Sequence, residues 1–302
     1  MQFHLFLPQM RMSFDRLIAV TRAAERAGFG GIAGMDHLVP PGAEDQPMYE
    51  AMITNAWLAA HTKEIKVGSL VLCDALRHPA VLARQAVSLD HASNGRFELG
   101  IGSGSYTNDF SYFGVGPTEP RSRVQRLRET LEVLKLLWAG ETVNYEGQFH
   151  RLRSAVQAPV PLRRIPIIIG GAGPKTLALV REFADWWNLD IRHLDKYNGV
   201  QFEQLRSQVG NARVSIQEMV AYVPQGSDRA SVTSAAMRRF QHSRPVIGTG
   251  PELVDHFRRR ASQGIERVYT WFCDFAQPET LAGFGADVIR HFDSRVDANA
   301  GP

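Results

Sequence analysis

Short apolar runs alternate along the chain with longer segments whose apolar residues recur every three or four positions. Phe3 to Leu7 reads as a strand. Phe14, Leu17, Ile18 and Ala24 then share one face of a helix that Ser13 caps and Gly28 stops. The next strands are Gly31 to Met35, Ile65 to Leu72 and Phe97 to Ile101, separated by helical segments at Ala51 to His61 and Pro79 to Ala92. Val124, Leu127, Leu131, Leu134 and Trp138 line a helix ended by Gly140, and Val143 to His150 reads as a small hairpin. Four further strands follow: Ile167 to Ile169, Asp185 to Ile191, Ser215 to Val223 and Arg267 to Phe272. Helices open at Pro79, Pro174, Pro251 and Pro278, where a missing N–H costs nothing. Tyr106 to Pro120 has no regular period and reads as a loop. Ser227 to Arg244 reads as a polar, partly helical insertion, and the stretch from Asp293 as a frayed tail.

Eight strands alternating with helices argue for a parallel sheet with right-handed crossovers. Eight such units in 302 residues fit an α/β fold of the closed (β/α)8 TIM-barrel type with insertions, as one domain over residues 1–302. The alternative, an open doubly wound sheet, usually carries a phosphate turn after its first strand, and none stands here.

Composition narrows the function. The chain is 44% hydrophobic and 22% charged, ordinary globular values, with a formal charge of +3. Of its 34 basic residues only five are lysine, a bias that points to GC-rich coding rather than to a nucleic-acid surface. The densest basic runs, Arg121 to Arg128 and Arg258 to Arg260, fall on helical patterns and read as solvated faces. No apolar run is long enough for a membrane span, and Met1 to Pro8 lacks the basic start of a signal peptide, so a cytoplasmic location is expected. Cys73 and Cys273 sit in apolar contexts and read as reduced core residues.

Three unusual stretches follow strands at what would be the catalytic end of such a barrel. These are Asp36-His37, the glycine turn Gly102-Ser103-Gly104 running on to Asn108, and Gly170-Gly171-Ala172-Gly173-Pro174. Singly, each has a plain reading as a helix cap or a tight turn. The first turn is Gly-x-Gly-x-Gly, not the dinucleotide Gly-x-Gly-x-x-Gly. Gly170 to Pro174 leads into a helix, whose free amides and dipole favour an anion. Together they describe one pocket with a carboxylate, a histidine and two backbone cradles.

With these stretches the chain resembles the luciferase-like monooxygenase superfamily, barrels that bind flavin mononucleotide (FMN) or the deazaflavin coenzyme F420. The resemblance is carried by Gly95-Arg96-Phe97-x-Leu99-Gly100-x-Gly102-x-Gly104, His78-Pro79-Ala80-Val81-Leu82-Ala83 and Pro166-Ile167-Ile168-Ile169-Gly170-Gly171-x-Gly173-Pro174. Gly28-Phe29 ahead of Asp36-His37, and Leu134-x-x-Leu137-Trp138-x-Gly140 ahead of Val143-x-Tyr145-x-Gly147, carry it further. It implies that Asp36 and His37 lie at the deazaflavin, with His37 catalytic in proton transfer or substrate polarisation. It implies a non-prolyl cis peptide at Ser69–Leu70 behind the cofactor ring. It also implies that Gly104 and Asn108 lie near the cofactor and that Gly170, Gly171, Ala172, Gly173 and Pro174 form a cofactor-side loop.

One departure bears on substrate. Where the sugar-phosphate dehydrogenases of the superfamily carry an acid after the first strand, this chain has Met10, and lysines for a substrate phosphate are scarce. A more apolar small molecule suits Met10, Met35, Tyr106, Phe110, Tyr112, Phe113 and Trp187 better. The resemblance and the arginine-rich composition favour hydride transfer through F420. The alternatives are an FMN-dependent monooxygenase using reduced flavin and oxygen, and a non-catalytic flavin-binding barrel. A homodimer is expected from the resemblance, with no nucleic-acid or membrane partner.

Overall fold

The structure is a computed structural model that describes residues 1–190, 199–240 and 244–292. In chain order its elements are β1 (Gln2–Phe6), α1 (Phe14–Arg26), β2 (Gly31–Gly34), α2 (Ala51–Ala60), β3 (Lys66–Ser69), β4 (Leu72–Cys73), α3 (Pro79–Ala92), β5 (Phe97–Gly102), α4 (Thr107–Phe113), α5 (Pro120–Trp138), β6 (Val143–Glu146) and β7 (Arg151–Ala155). They continue with β8 (Ile167–Gly170), α6 (Pro174–Phe183), β9 (Trp186–Asp190), α7 (Gly199–Arg206), β10 (Arg213–Tyr222), α8 (Arg229–Arg239), β11 (Val246–Gly248), α9 (Gly250–Ser262), β12 (Arg267–Phe272) and α10 (Pro278–Asp287).

Eight parallel strands close on themselves in the order β1, β2, β3, β5, β8, β9, β10, β12 and back to β1. The expected (β/α)8 barrel is therefore observed. Leu99 and Ile101 of β5, Ile169 of β8 and Leu189 of β9 face outward into one large core with the apolar faces of the helices. Ser13 caps α1 through its side-chain oxygen, as its position before an apolar periodic run dictates. Pro79, Pro174, Pro251 and Pro278 each stand in the first turn of a helix, and so does Pro120.

The barrel interior has two halves. At the amino ends of the strands, Arg267 is fully buried and donates to Glu98 at 2.7 Å and to the Gln2 side chain at 3.0 Å. Its guanidinium lies 3.8 Å from the centre of the Trp186 ring, and Lys66 donates to the same glutamate at 2.8 Å. Burial pushes the Glu98 carboxyl upward, but Arg267 and Lys66 outweigh it and hold the group below the usual carboxylate range. At the carboxyl ends an apolar patch forms part of the lining: Phe6, Ala33, Met35, Leu70 and Trp271 pack together above Tyr269.

Several elements differ from the sequence reading. Thr107–Phe113 is a helix, not a loop, closed by Gly114 at a φ of +64°. The Ser227 to Arg244 insertion is partly helical, as read, through α8, but it leads into an unforeseen strand, β11, three residues with too little sequence to show a period. The helix opening at Pro278, whose apolar positions in sequence run through Leu281 and Phe284 to Ile289 and Phe292, stops at Asp287, and Ile289–Phe292 is a separate 3-10 turn. The expected strand end at Ile191 and the tail from Asp293 lie outside the described residues.

The cis peptide is Leu70–Val71, not Ser69–Leu70. Ser69 still pairs with Gly34 in the β2–β3 ladder, and the Leu70 N–H still donates to the Gly34 carbonyl at 2.9 Å. The chain therefore leaves the ladder one residue later than the resemblance implied. Between the pairs Gly68–Glu98 and Leu72–Ile101 the β3–β4 side carries one residue more than β5, and that excess is the bulge.

Candidate active site

Asp36 and His37 follow β2 and do different jobs. The Asp36 carboxylate is buried and fully engaged: it accepts two bonds from Arg77, at 2.6 and 2.9 Å, and one from the Cys73 N–H at 2.7 Å. Arg77 also pairs with Glu50, which caps α2. Burial alone lowers the Arg77 pKa, but its two carboxylate partners raise it above its usual value. Asp36 thus fastens the β2 rim to the turn after β4 and to α2.

His37 keeps a fifth of its side chain exposed, and its Nδ1 lies 2.7 Å from Oδ2 of Asp109. Asp109 is buried on α4, and its other oxygen accepts the Leu38 N–H at 2.8 Å. A carboxylate against Nδ1 makes that nitrogen the donor, so Nε2 is the nitrogen left to act. The Tyr106 ring stands edge-on to the imidazole at 5.6 Å. Its hydroxyl donates to Glu44, and Asn108 donates to that hydroxyl at 2.9 Å. The segment after β2 is thereby tied across the segment after β5.

Among the other expected cofactor contacts, Leu70 lies in the apolar mouth, whereas Ser69 is buried and accepts from Asn55 at 3.0 Å. Gly104 has a φ of +82°, and a Cβ there would meet Phe110 at 2.6 Å and the Cys73 sulfur at 2.8 Å. Its missing side chain makes room for protein packing. Burial pushes the Cys73 thiol up to about 12, so it is inert.

Gly170 to Pro174 follows β8 on the same rim. Gly171 has a φ of +120°, its N–H donates to the Asn188 carbonyl at 3.2 Å, and its own carbonyl accepts the Trp187 indole at 2.7 Å. Gly173 is the N-cap of α6 and supplies no side-chain cap, which leaves a helix start open to an acceptor from outside the chain.

Of the apolar residues expected around a substrate, Met35 lines the mouth. Trp187 and Phe110 are buried in packing, while Tyr112 and Phe113 are exposed. Three contributors escaped the sequence reading. Asp109 stands 72 positions from His37, and Gln9 staples the ends of β1 and β2 by bonds to the Met35 backbone at 2.6 and 2.8 Å. The third, Trp271, carried one signal, its alternation with Arg267 and Tyr269 on an inward-facing strand. Among the described residues no group of three or more His, Cys, Asp or Glu could hold a metal ion.

Residues 1–242 match the family model described as luciferase-like monooxygenase. An F420-dependent glucose-6-phosphate dehydrogenase from Kineococcus radiotolerans is 35% identical over 152 residues, which is 50% of this chain and 45% of that protein. The chain thus spans about half the length of the curated relatives of that kind. An F420-dependent hydroxymycolic acid dehydrogenase from Mycobacterium tuberculosis is 30% identical over 84% of this chain and 70% of that protein. The fold is shared with an F420-dependent secondary alcohol dehydrogenase solved with an F420-acetone adduct, at a TM-score of 0.78 and 17% identity over 95% of this chain and 98% of that one. It is equally shared with the monooxygenase RslO1 from Streptomyces bottropensis, at a TM-score of 0.78 and 18% identity over 97% of this chain and all of that one.

Proposed function

The chain belongs to the luciferase-like monooxygenase family, and on that premise we propose that it is an F420-dependent oxidoreductase acting on a small, largely apolar organic molecule. The observation that carries this reading is His37, held through Nδ1 by a buried carboxylate with Nε2 left over, on the rim of an apolar barrel mouth. The F420-dependent relatives support the choice of cofactor.

The residues present fit such a group. The open start of α6 behind Gly170, Gly171, Ala172, Gly173 and Pro174 suits an anionic tail. Leu70 and the bulge after β3 offer an apolar surface for a ring, and Asn108 and Tyr106, bonded to each other after β5, are the polar groups proposed for its other side. When bound, the deazaflavin supplies two-electron hydride transfer at carbon, with little oxygen chemistry. The protein's part is to exclude water with the apolar mouth and to hold or deliver a proton at His37 Nε2. Asp36 acts at one remove, by fixing the segment that carries His37. Two copies would meet across the groove between α2 and α3, where Ile53 and Val81 are exposed.

The test is a fluorescence titration of the apo protein with F420 and with FMN, followed by turnover of His37→Ala. Tight F420 binding and a loss of about 10²–10⁴-fold in kcat with little change in cofactor affinity are expected. Binding of FMN alone would move the chain to the monooxygenase reading. Unchanged turnover would remove His37 from the chemistry.

A further inference from the structure

We propose that Trp271 is a substrate-binding residue whose indole N–H donates to the single oxygen, carbonyl or hydroxyl, of an otherwise apolar substrate in the barrel mouth. The inference rests on the oxidoreductase reading for what the mouth is for, and it adds the class of molecule that the mouth accepts.

Along β12, Arg267 reaches across the barrel to Glu98 on β5, and Tyr269 packs edge-on to His4 at 5.1 Å. The two-residue period of a strand carries Trp271 to the same inner face, one layer nearer the mouth. There it bridges two apolar clusters. Phe6, Ala33, Met35 and Leu70 lie on one side, with the Phe6 ring at 5.3 Å. Met219, Ala236, Phe240 and Cys273 lie on the other, with the Phe240 ring at 5.4 Å.

In this setting the Trp271 indole nitrogen is buried and has no hydrogen-bond partner among the described residues. The apolar residues packed against it offer only carbon, sulfur and ring faces. Asp74, Gln85, Asp90, Arg123 and Arg260 also carry unpaired buried atoms; Asp74, Asp90 and Arg260 bind the protein through another atom, Arg123 lies over the Phe110 ring at 4.7 Å, and Gln85 stands on α3, away from the barrel interior. Trp271 has one polar atom and nothing to give it to. A buried donor without an acceptor destabilises the fold, and phenylalanine would fill much of the same space without that cost. An acceptor brought in by a ligand removes the cost. The apolar clusters on either side of it favour a ligand whose remainder is apolar. Met35, two residues before His37, packs in the same cluster as the indole.

The experiment uses the protein saturated with oxidised F420 and two probes of similar shape, cyclohexanone and methylenecyclohexane. The indole resonances are followed by 1H–15N NMR, with that of Trp271 identified by its loss in Trp271→Phe. The ketone is expected to move the Trp271 resonance downfield and to bind about tenfold more tightly than the hydrocarbon. In Trp271→Phe that gap should close, while affinity for the hydrocarbon stays within twofold. A ketone that does not bind, a bound ketone that leaves the resonance in place, or a gap that persists in the variant each overturns the proposal. The resonance shift is read in the parent protein, so a poorly folding variant does not block it. Failure of F420 to bind in the preceding titration would instead sink the cofactor reading, and the same probes would then be run with FMN, where the same outcomes decide.

Discussion

At the scale of single residues, the site depends on a division of labour that adjacency conceals. Asp36 and His37 are neighbours in sequence, yet Asp36 is consumed by Arg77 and the Cys73 amide, and Asp109 supplies the carboxylate for His37. Asp109→Asn replaces that acceptor by a group that can also present N–H to Nδ1, which favours the other imidazole tautomer. The expected result is a fall in kcat of about 10–100-fold, smaller than for loss of His37 itself, with KM and F420 affinity nearly unchanged. Asp109→Glu should recover part of the rate. A variant that lost cofactor affinity in proportion to rate would assign Asp109 to folding of the rim instead. The Asp36-His37 pair was legible because two polar residues ending an apolar strand are conspicuous. Asp109 was not, because its partner is set by the fold of α4, a short helix whose aromatic residues face both solvent and core.

At the scale of elements, the glycine-rich end of β5 is first a packing device. A Cβ on Gly100 would lie 1.9 Å from the Ser69 carbonyl oxygen, and one on Gly102 would lie 2.8 Å from Cγ2 of Val71. β5 therefore gives up side chains where the bulge between β3 and β4 leans on it. Gly100→Ala pits a methyl against backbone and should yield little folded protein. Gly102→Ala meets only a side-chain methyl and should cost about 1–3 kcal/mol, read from urea unfolding and largely restored by adding Val71→Ala. Equal losses for the two glycines, or no rescue by the smaller residue at 71, would refute this account. The eight barrel strands were legible as short apolar runs between turn and helix signals, and the proline-led helices as periodic apolar faces that begin at a defined residue. α4 and β11 are too short for a period, and the position of the cis bond is a matter of register, decided by β2 and β5 rather than by the residues that carry it.

At the scale of the whole molecule, the barrel interior is layered. The Arg267–Glu98–Lys66 network closes the amino end, the apolar mouth serves the carboxyl end, and His4 stands between them against Tyr269. Burial first, with Arg267 and Lys66 adding to it, holds the His4 pKa well below its usual value. Outside the barrel, burial with help from Arg126 and His78 lowers His150 to about 4. In the unfolded chain both imidazoles titrate near ~6.5. As pH falls through that value the unfolded state takes up protons that the folded state refuses, so stability falls with pH, for His150 down to about 4. Glu98 acts later and in the same direction, since a carboxyl held low in the fold loses its contribution once pH drops below the usual carboxylate range. The urea midpoint should therefore decline steadily between pH 7 and pH 5. His150→Gln, which keeps an amide near the Thr130 hydroxyl that now lies 3.1 Å from Nε2, removes one of these groups. Its midpoint should decline less steeply over the same interval, and parallel slopes for parent and variant would show that His150 takes up its proton equally in both states.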